Sequence, residues 1–344
     1  MAYDDLNRVA VAQINACVGD IAQNAKLIID KIDTARALRA DMIIFPEMAI
    51  SGYPPEDLLL RPGFHQQMQH AVETIAAHCQ DIKVILGYTE RVNSDLYNAC
   101  GLLYNGEIIH SYHKRNLPNY GVFDEKRYFT PGNNSNICDI GDKRIALSVC
   151  EDLWTPEPAA EAADLGAGLL ININASPYHI GKAGIRQQLI RDRARDNKLD
   201  ILYVNMTGGQ DELVFDGDSM LIDKQGKTRF RAPRFVDDVF MLEPADAVIH
   251  TPADDEADIY QAIVCGVRDY AHKNHFSGAV IGLSGGIDSA LTLAIAVDAL
   301  GADNIEVLIM PSRYTAEMSN ADAEEMADKL GVHHHTYNIE QPFK

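Results

Sequence analysis

The stretch Arg144-Ile-Ala-Leu-Ser-Val-Cys-Glu-Asp-Leu-Trp154 sets an apolar run directly before a thiol and two carboxylates. A short apolar run of this kind reads as a strand. Cys150 then falls at its carboxyl end, the edge of an α/β sheet where ligands bind. Working outward, comparable runs recur at 9–14, 42–45, 84–86, 108–112, 169–173 and 201–204, separated by stretches with helical spacing. Strands alternating with helices predict an α/β domain, although periodicity alone does not order its sheets.

Two other polar residues occupy the same kind of place. Glu47 follows the run MIIF, and Lys114 follows IIHSYH. A carboxylate, an ammonium and a thiol at strand ends supply a base, a cation and a nucleophile. The thiolate attacks a carbonyl carbon, the carboxylate takes its proton, and the ammonium steadies the thiolate or the developing oxyanion. The implied chemistry is amide or nitrile hydrolysis through a thioester.

The strand pattern weakens near Met241, and residues 251–258 (TPADDEAD) form an acidic break that reads as a linker. The expected division is therefore one domain over residues 1–250, a linker over 251–258 and a second domain over 259–344. Ile259, Ile263, Val267 and Tyr270 sit at helical spacing and predict an amphipathic helix at the start of that second domain. Strands are expected at 279–283, 307–310 and 336–339, with helices at 290–300 and 322–330 between them. This makes a small, partial doubly wound parallel sheet.

Between the first of these strands and its helix stands Leu283-Ser-Gly-Gly-Ile-Asp-Ser-Ala290. Gly285 and Gly286 let backbone N–H groups approach an anion, Ser284 and Ser289 add hydroxyl donors, and the helix points its positive end at the site. The loop lacks the Gly-Lys-Ser/Thr ending of a Walker A motif, which disfavours an ordinary P-loop kinase or GTPase. A bare Ser-Gly-Gly also reads as a plain strand–turn–helix corner. The string His333-His-His335 alternates faces on a strand and makes a poor metal site.

The chain has 344 residues, 47% of them hydrophobic and 23% charged, which suits two packed cores and excludes wholesale disorder. Thirty basic against fifty acidic residues give a formal charge of −20, a field that repels nucleic-acid backbones and anionic lipid. No run approaches the length needed to cross a bilayer, and the N-terminus lacks a secretory pattern, so the expected location is the cytoplasm. Cys17, Cys79, Cys100, Cys138, Cys150 and Cys265 show no paired spacing and are expected to be free thiols.

The segments FPEMAISGYPPEDLL, YHKRNLPNYGVFDEKRYF and ALSVCEDLW, in this order, resemble the nitrilase (carbon–nitrogen hydrolase) superfamily over about residues 7–245. The resemblance implies a four-layer αββα sandwich that pairs into a homo-oligomer. It implies that Glu47 is the general base and acid, Lys114 the polarising cation and Cys150 the acyl carrier. Tyr120 and Glu125 in NYGVFDE, with Ser176 and Lys182 in NASPYHIGK, look like contacts to glutamine in the glutamine-hydrolysing members. Ser176 before Pro177 also reads as a simple turn, and Glu151 reads as a structural neighbour.

The full string SGGIDSA resembles the N-type ATP pyrophosphatases. That likeness implies ATP on residues Leu283, Ser284, Gly285, Gly286, Ile287, Asp288, Ser289 and Ala290, with Mg2+ near Asp288 and no prosthetic group. Ile309-Met-Pro-Ser-Arg-Tyr-Thr315 resembles the adenosine-side region of the same group. Joined in this order, the halves resemble the glutamine-dependent NAD+ synthetases, which use glutamine-derived ammonia to amidate nicotinic acid adenine dinucleotide. Synthetase domains of that family continue beyond the point matching Lys344. The expectation is thus a truncated form with an intact glutaminase and no assured synthetase turnover. Two other readings stand beside it: a stand-alone nitrilase-type amidohydrolase and a non-catalytic nucleotide-binding module.

Overall fold

Residues 8–242, 250 and 255–340 are described in the structure of this protein, a computed structural model. In the first half, β1 (Val9–Gln13) leads through α1 (Ile21–Ala37) to β2 (Met42–Ile44), and α2 (Pro62–His78) leads to β3 (Lys83–Val92). These three strands lie parallel. β4 (Asp95–Tyr104) and β5 (Glu107–His113) then add by antiparallel hairpins.

A second run follows as β6 (Ile137–Ile140), β7 (Lys143–Val149), α3 (Glu157–Asp164), β8 (Leu169–Asn174), α4 (Lys182–Asn197) and β9 (Asp200–Asn205). β7, β8 and β9 are mutually parallel. The chain continues through the hairpin β10 (Thr207–Gln210) and β11 (Leu213–Asp216), then β12 (Met220–Ile222), β13 (Thr228–Arg231) and β14 (Asp238–Leu242). One six-stranded sheet has the order β14-β1-β2-β3-β4-β5, and the other β13-β12-β9-β8-β7-β6.

Side-chain alternation explains how these sheets stack. Ile145, Leu147 and Val149 of β7, Leu169, Ile171 and Ile173 of β8, and Leu202 and Val204 of β9 join Val9, Val11, Met42, Ile44 and Ile85 of the other sheet in one core cluster. The intervening Ala146, Leu170, Ile201 and Tyr203 pack instead with Ala159, Ala162, Ile190 and Ala194 of α3 and α4. Helices α1 and α2 cover the outer face of the first sheet, against β2, β3 and β14. The layers are therefore helix, sheet, sheet, helix, and strands buried on both faces appear in sequence as continuous apolar runs.

The chain divides into two compact units, the first drawn from residues 1–208 and 214–253 and the second from 209–213 and 254–344. In the second unit α5 (Asp255–Lys273) precedes β15 (Ala279–Gly282), α6 (Ile287–Leu300), β16 (Ile305–Ile309), α7 (Glu317–Leu330) and β17 (His333–Thr336). The three strands are parallel in sequential order. Ile305, Val307 and Ile309 pack with Leu293 and Ala296 of α6 and Ala323 and Ala327 of α7. Both crossover helices thus lie on one face, giving one half of a doubly wound sheet.

Three expectations for this unit shift. Residues 255–258, read as linker, are the first turn of α5, where Asp255, Glu256 and Asp258 suit the positive end of a helix; residues 251–254 lie outside the described residues. The apolar stripe of α5 does not face inward: Ile263, Val267 and Tyr270 are exposed, while Ala262, Cys265 and Asp269 are buried. Asp269 accepts from the Gly209 backbone N–H at 2.7 Å, and a side chain at Gly209 would press on Gly266, so this face of the helix is chosen by close backbone approach. The last strand lies at His333–Thr336 rather than 336–339, because the ladder to β16 pairs Glu306 with His333 and Ile309 with Thr336.

Candidate active site

Four strand ends converge in the first unit. β2 runs out at Ile44, and Glu47 follows in a segment whose backbone lies against Gly87 of β3. A Cβ there would stand 2.3 Å from the Pro46 carbonyl oxygen. β5 ends at His113, and Lys114 continues the ladder by donating its N–H to the Asn98 carbonyl at 2.8 Å. β7 ends at Val149. Cys150 then takes a left-handed conformation, φ +44°, as the chain turns into a single 3-10 turn over Cys150–Leu153. β8 ends at Asn174, followed by Ala175 and Ser176.

The charged groups are buried and in contact. The Lys114 ammonium, 1% exposed, donates to Glu47 Oε1 and to Glu125 Oε1, each at 2.8 Å. Glu47 is held from two further directions, by Asn98 Nδ2 at 2.6 Å and by the Ala175 backbone N–H at 2.8 Å. The Tyr53 hydroxyl donates to Glu125 Oε1 at 3.0 Å. Cys150 belongs to the core cluster between the sheets and is 5% exposed.

Burial opposes the charge on Lys114, but the carboxylates of Glu125 and Glu47 outweigh it and hold its pKa well above that of an ordinary lysine. Burial pushes Glu125 up to about 7, with the Glu47 charge adding to the rise and Lys114 opposing it. Burial also drives the Cys150 thiol far up, Glu47 reinforces this, and Lys114 pulls the other way. The resting group is a neutral thiol beside a base and a cation. Attack by its sulfur requires a proton acceptor at that moment.

Of the residues singled out from the sequence, Lys114 touches both Glu47 and Glu125, and Cys150 lies within their field. Glu125 contacts the lysine ammonium itself. Tyr120 is largely exposed, its hydroxyl 3.0 Å from both carboxylate oxygens of Glu151. Lys182 opens α4, and burial lowers its pKa while the nearby Cys150 raises it. Ser176 is buried, its N–H donating to Asn205 Oδ1 at 2.9 Å, next to the residue that holds Glu47. The sequence reading missed Asn98, Tyr53 and Asp152. Asn98 sits on β4, a strand without a β-branched run, and the other two are visible only through their tertiary partners.

In the second unit, the segment 283–290 links β15 to α6. Ser284 Oγ and Ser289 Oγ are 3.0 Å apart, and Ser289 Oγ also donates to the Gly286 carbonyl at 2.9 Å. Gly285 has φ +78°, and a Cβ there would stand 2.1 Å from the Ser319 carbonyl oxygen, so only glycine fits. Leu283 is buried. Gly286, Ile287 and Asp288 are exposed, with Asp288 in the first turn of α6, and Ser289 and Ala290 are half-buried.

A carbon-nitrogen hydrolase family model matches residues 8–243, and an NAD synthase model matches residues 259–344. The chain is 46% identical to a glutamine-dependent NAD(+) synthetase of Xylella fastidiosa, over 98% of this chain and 64% of that protein. It is 38% identical to one of Acinetobacter baylyi, over 94% of this chain and 61% of that protein. It thus spans less than two thirds of the length of these curated relatives. The fold is similar to a glutamine-dependent NAD+ synthetase from Acinetobacter baumannii solved with adenosine diphosphate: TM-score 0.93 and 38% identity, over 97% of this chain and 65% of that one. It is also similar to an amidase of the nitrilase superfamily from Nesterenkonia: TM-score 0.62 and 25% identity, over 69% of this chain and 90% of that one. Through the unit that carries Glu47, Lys114 and Cys150, the chain belongs to the carbon-nitrogen hydrolase family.

Proposed function

We propose that this chain carries the glutaminase and part of the synthetase of a glutamine-dependent NAD+ synthetase. The observation that carries the reading is the buried Lys114 ammonium bridging Glu47 and Glu125 beside the Cys150 thiol. Glu47 takes the thiol proton as the sulfur attacks the carboxamide carbon of glutamine. The oxyanion that develops faces Lys114, Glu47 returns the proton to the departing nitrogen, and ammonia leaves a thioester on Cys150. Water deprotonated by Glu47 then attacks the thioester, releasing glutamate and restoring the thiol. Glu125 holds Lys114 from the other side. Tyr120, Ser176 and Lys182, around the Cys150 turn and the end of β8, supply polar groups for the amino-acid end of the substrate.

In the second unit the loop 283–290 supports ATP binding, with backbone N–H groups and the hydroxyls of Ser284 and Ser289 for phosphate oxygens. The ATP adenylates nicotinic acid adenine dinucleotide, and ammonia from the first unit displaces AMP. Among the described residues no group of three or more His, Cys, Asp or Glu side chains could hold a metal ion. Mg2+ brought in with the nucleotide would be held by its phosphates and water with Asp288 as a protein ligand, and would neutralise polyphosphate charge. A cytoplasmic homo-oligomer completes the reading. No helix of the described residues is long and apolar enough to cross a membrane.

The test is ammonia release from glutamine by this chain beside Cys150→Ala, with and without ATP, Mg2+ and nicotinic acid adenine dinucleotide. Release that is lost in the variant and rises with those ligands is expected. Release indifferent to them points instead to a stand-alone amidohydrolase, and release undiminished by Cys150→Ala removes the nucleophile assignment.

A further inference from the structure

Asp152 lies two residues beyond Cys150 on the same 3-10 turn and is fully buried. Its Oδ1 accepts from the backbone N–H groups of Arg115 at 3.1 Å and Asn116 at 2.8 Å. Its Oδ2 accepts from the Tyr112 hydroxyl at 2.9 Å and the Val149 N–H at 3.2 Å. The partners are informative. Val149 immediately precedes Cys150, Arg115 immediately follows Lys114, and Tyr112 is an inward-facing residue near the end of β5. One carboxylate therefore ties the end of β7, in one sheet, to the lysine-bearing segment after β5, in the other.

Burial raises the pKa of Asp152, and the donors from Asn116, Tyr112 and Val149, with the charge of Lys114, work against that rise. A group merely stabilising its own turn would need only the bond to Val149. Two of the four bonds go instead to the backbone beside the lysine.

We propose that Asp152 is a positioning residue that sets the separation between the Cys150 sulfur and the Lys114 ammonium by clamping the two backbone segments that carry them. This rests on reading Cys150 as the nucleophile. Asp152→Asn keeps an acceptor for Arg115 and Asn116 but turns an amide N–H2 toward Val149, forcing the cysteine turn away from the lysine. Asp152→Ala loses both attachments. A misplacement of about 1 Å costs roughly 100-fold in rate, so kcat for glutamine should fall by about that factor in Asp152→Ala and by less in Asp152→Asn, with KM little changed.

The decisive readout is the pH profile of Cys150 alkylation by iodoacetamide, followed on its own peptide by mass spectrometry. Glu47, Glu125, Glu151, Lys114, Lys182, Tyr53, Tyr120 and Tyr203 bear electrostatically on this thiol and are unaltered in the variants. The lost Asp152 charge by itself would move the profile to lower pH, so a rise reports displacement and not the missing charge. With Lys114 further away the profile should move to higher pH in both Asp152 variants. It should move less, in the same direction, in Tyr112→Phe, which removes one donor and leaves the backbone bonds. That variant carries the test if Asp152 substitutions do not fold. A purely structural role lowers the thermal midpoint and leaves the profile of the folded molecules unmoved in Tyr112→Phe, and unmoved or shifted to lower pH in Asp152→Asn, and either result overturns the proposal. A shifted profile in a chain that does not hydrolyse glutamine retains the clamp and removes the glutaminase reading.

Discussion

Lys114 stays charged without solvent because two carboxylates stand 2.8 Å from its nitrogen, and after burial it is the charges of this cluster that act on Cys150, Glu47 and Glu125 raising its thiol and Lys114 lowering it. Glu125 is the adjustable member, since burial lifts it to about 7. The sign follows directly. As pH rises through the range where the coupled Glu125 site loses its proton, the negative charge gained there opposes formation of the Cys150 thiolate. Glu125→Gln stays neutral throughout. Its Cys150 should therefore alkylate at the wild-type rate below pH 7 and faster above it, by up to about tenfold, the factor for one pKa unit. An unchanged ratio across pH 6 to 9 would falsify the assignment of Glu125 to this field. The strand-end positions of Glu47, Lys114 and Cys150 were legible because each follows an apolar run, while the roles proposed for them came from the resemblance of the surrounding segments. The roles of Asn98, Tyr53 and Asp152 were not legible, because a hydrogen bond between distant segments leaves no local pattern.

At the scale of elements, the lysine segment depends on a glycine. Gly132 donates its N–H to the Lys114 carbonyl at 2.8 Å, and a Cβ at Gly132 would stand 2.1 Å from the His113 carbonyl oxygen. Gly132→Ala must push that backbone aside. The expected result is a loss of about 1–3 kcal/mol in chemical denaturation, as for other overpacked sites, together with loss of glutamine hydrolysis. Gly63→Ala, in α2 with nothing within 4 Å of its added methyl, should be neutral or slightly stabilising and serves as the comparison. The strands buried on both faces were readable from their apolar runs. β4 was not, since Asp95-Leu-Tyr-Asn-Ala-Cys-Gly-Leu-Leu-Tyr104 has no β-branched residue and enters the sheet by its pairing with β3. Likewise α5 shows its apolar stripe to solvent because backbone contact at Gly266 decides which side packs.

Across the whole molecule, Cys150 and the glycine loop belong to different compact units, and a division of labour between them is expected. Asp288→Ala should weaken ATP binding in the presence of Mg2+ in an equilibrium titration and leave the Cys150 alkylation rate as it was. Loss of both would contradict that division of labour. The four-layer order was legible only through resemblance, because alternating strands and helices do not say how two sheets stack, whereas the burial of both strand faces does. The ion cluster of Lys114, Glu47 and Glu125 has a consequence for how the chain reaches this state. A slip of β5 by one residue would turn Lys114 to the other side of the sheet and leave Glu47 and Glu125 facing each other without their cation. Uncompensated buried charge of that kind is destabilising by several kcal/mol. Misaligned sheets are therefore rejected by the same three charges, which serve as a proofreading mark for the fold before they ever meet a substrate.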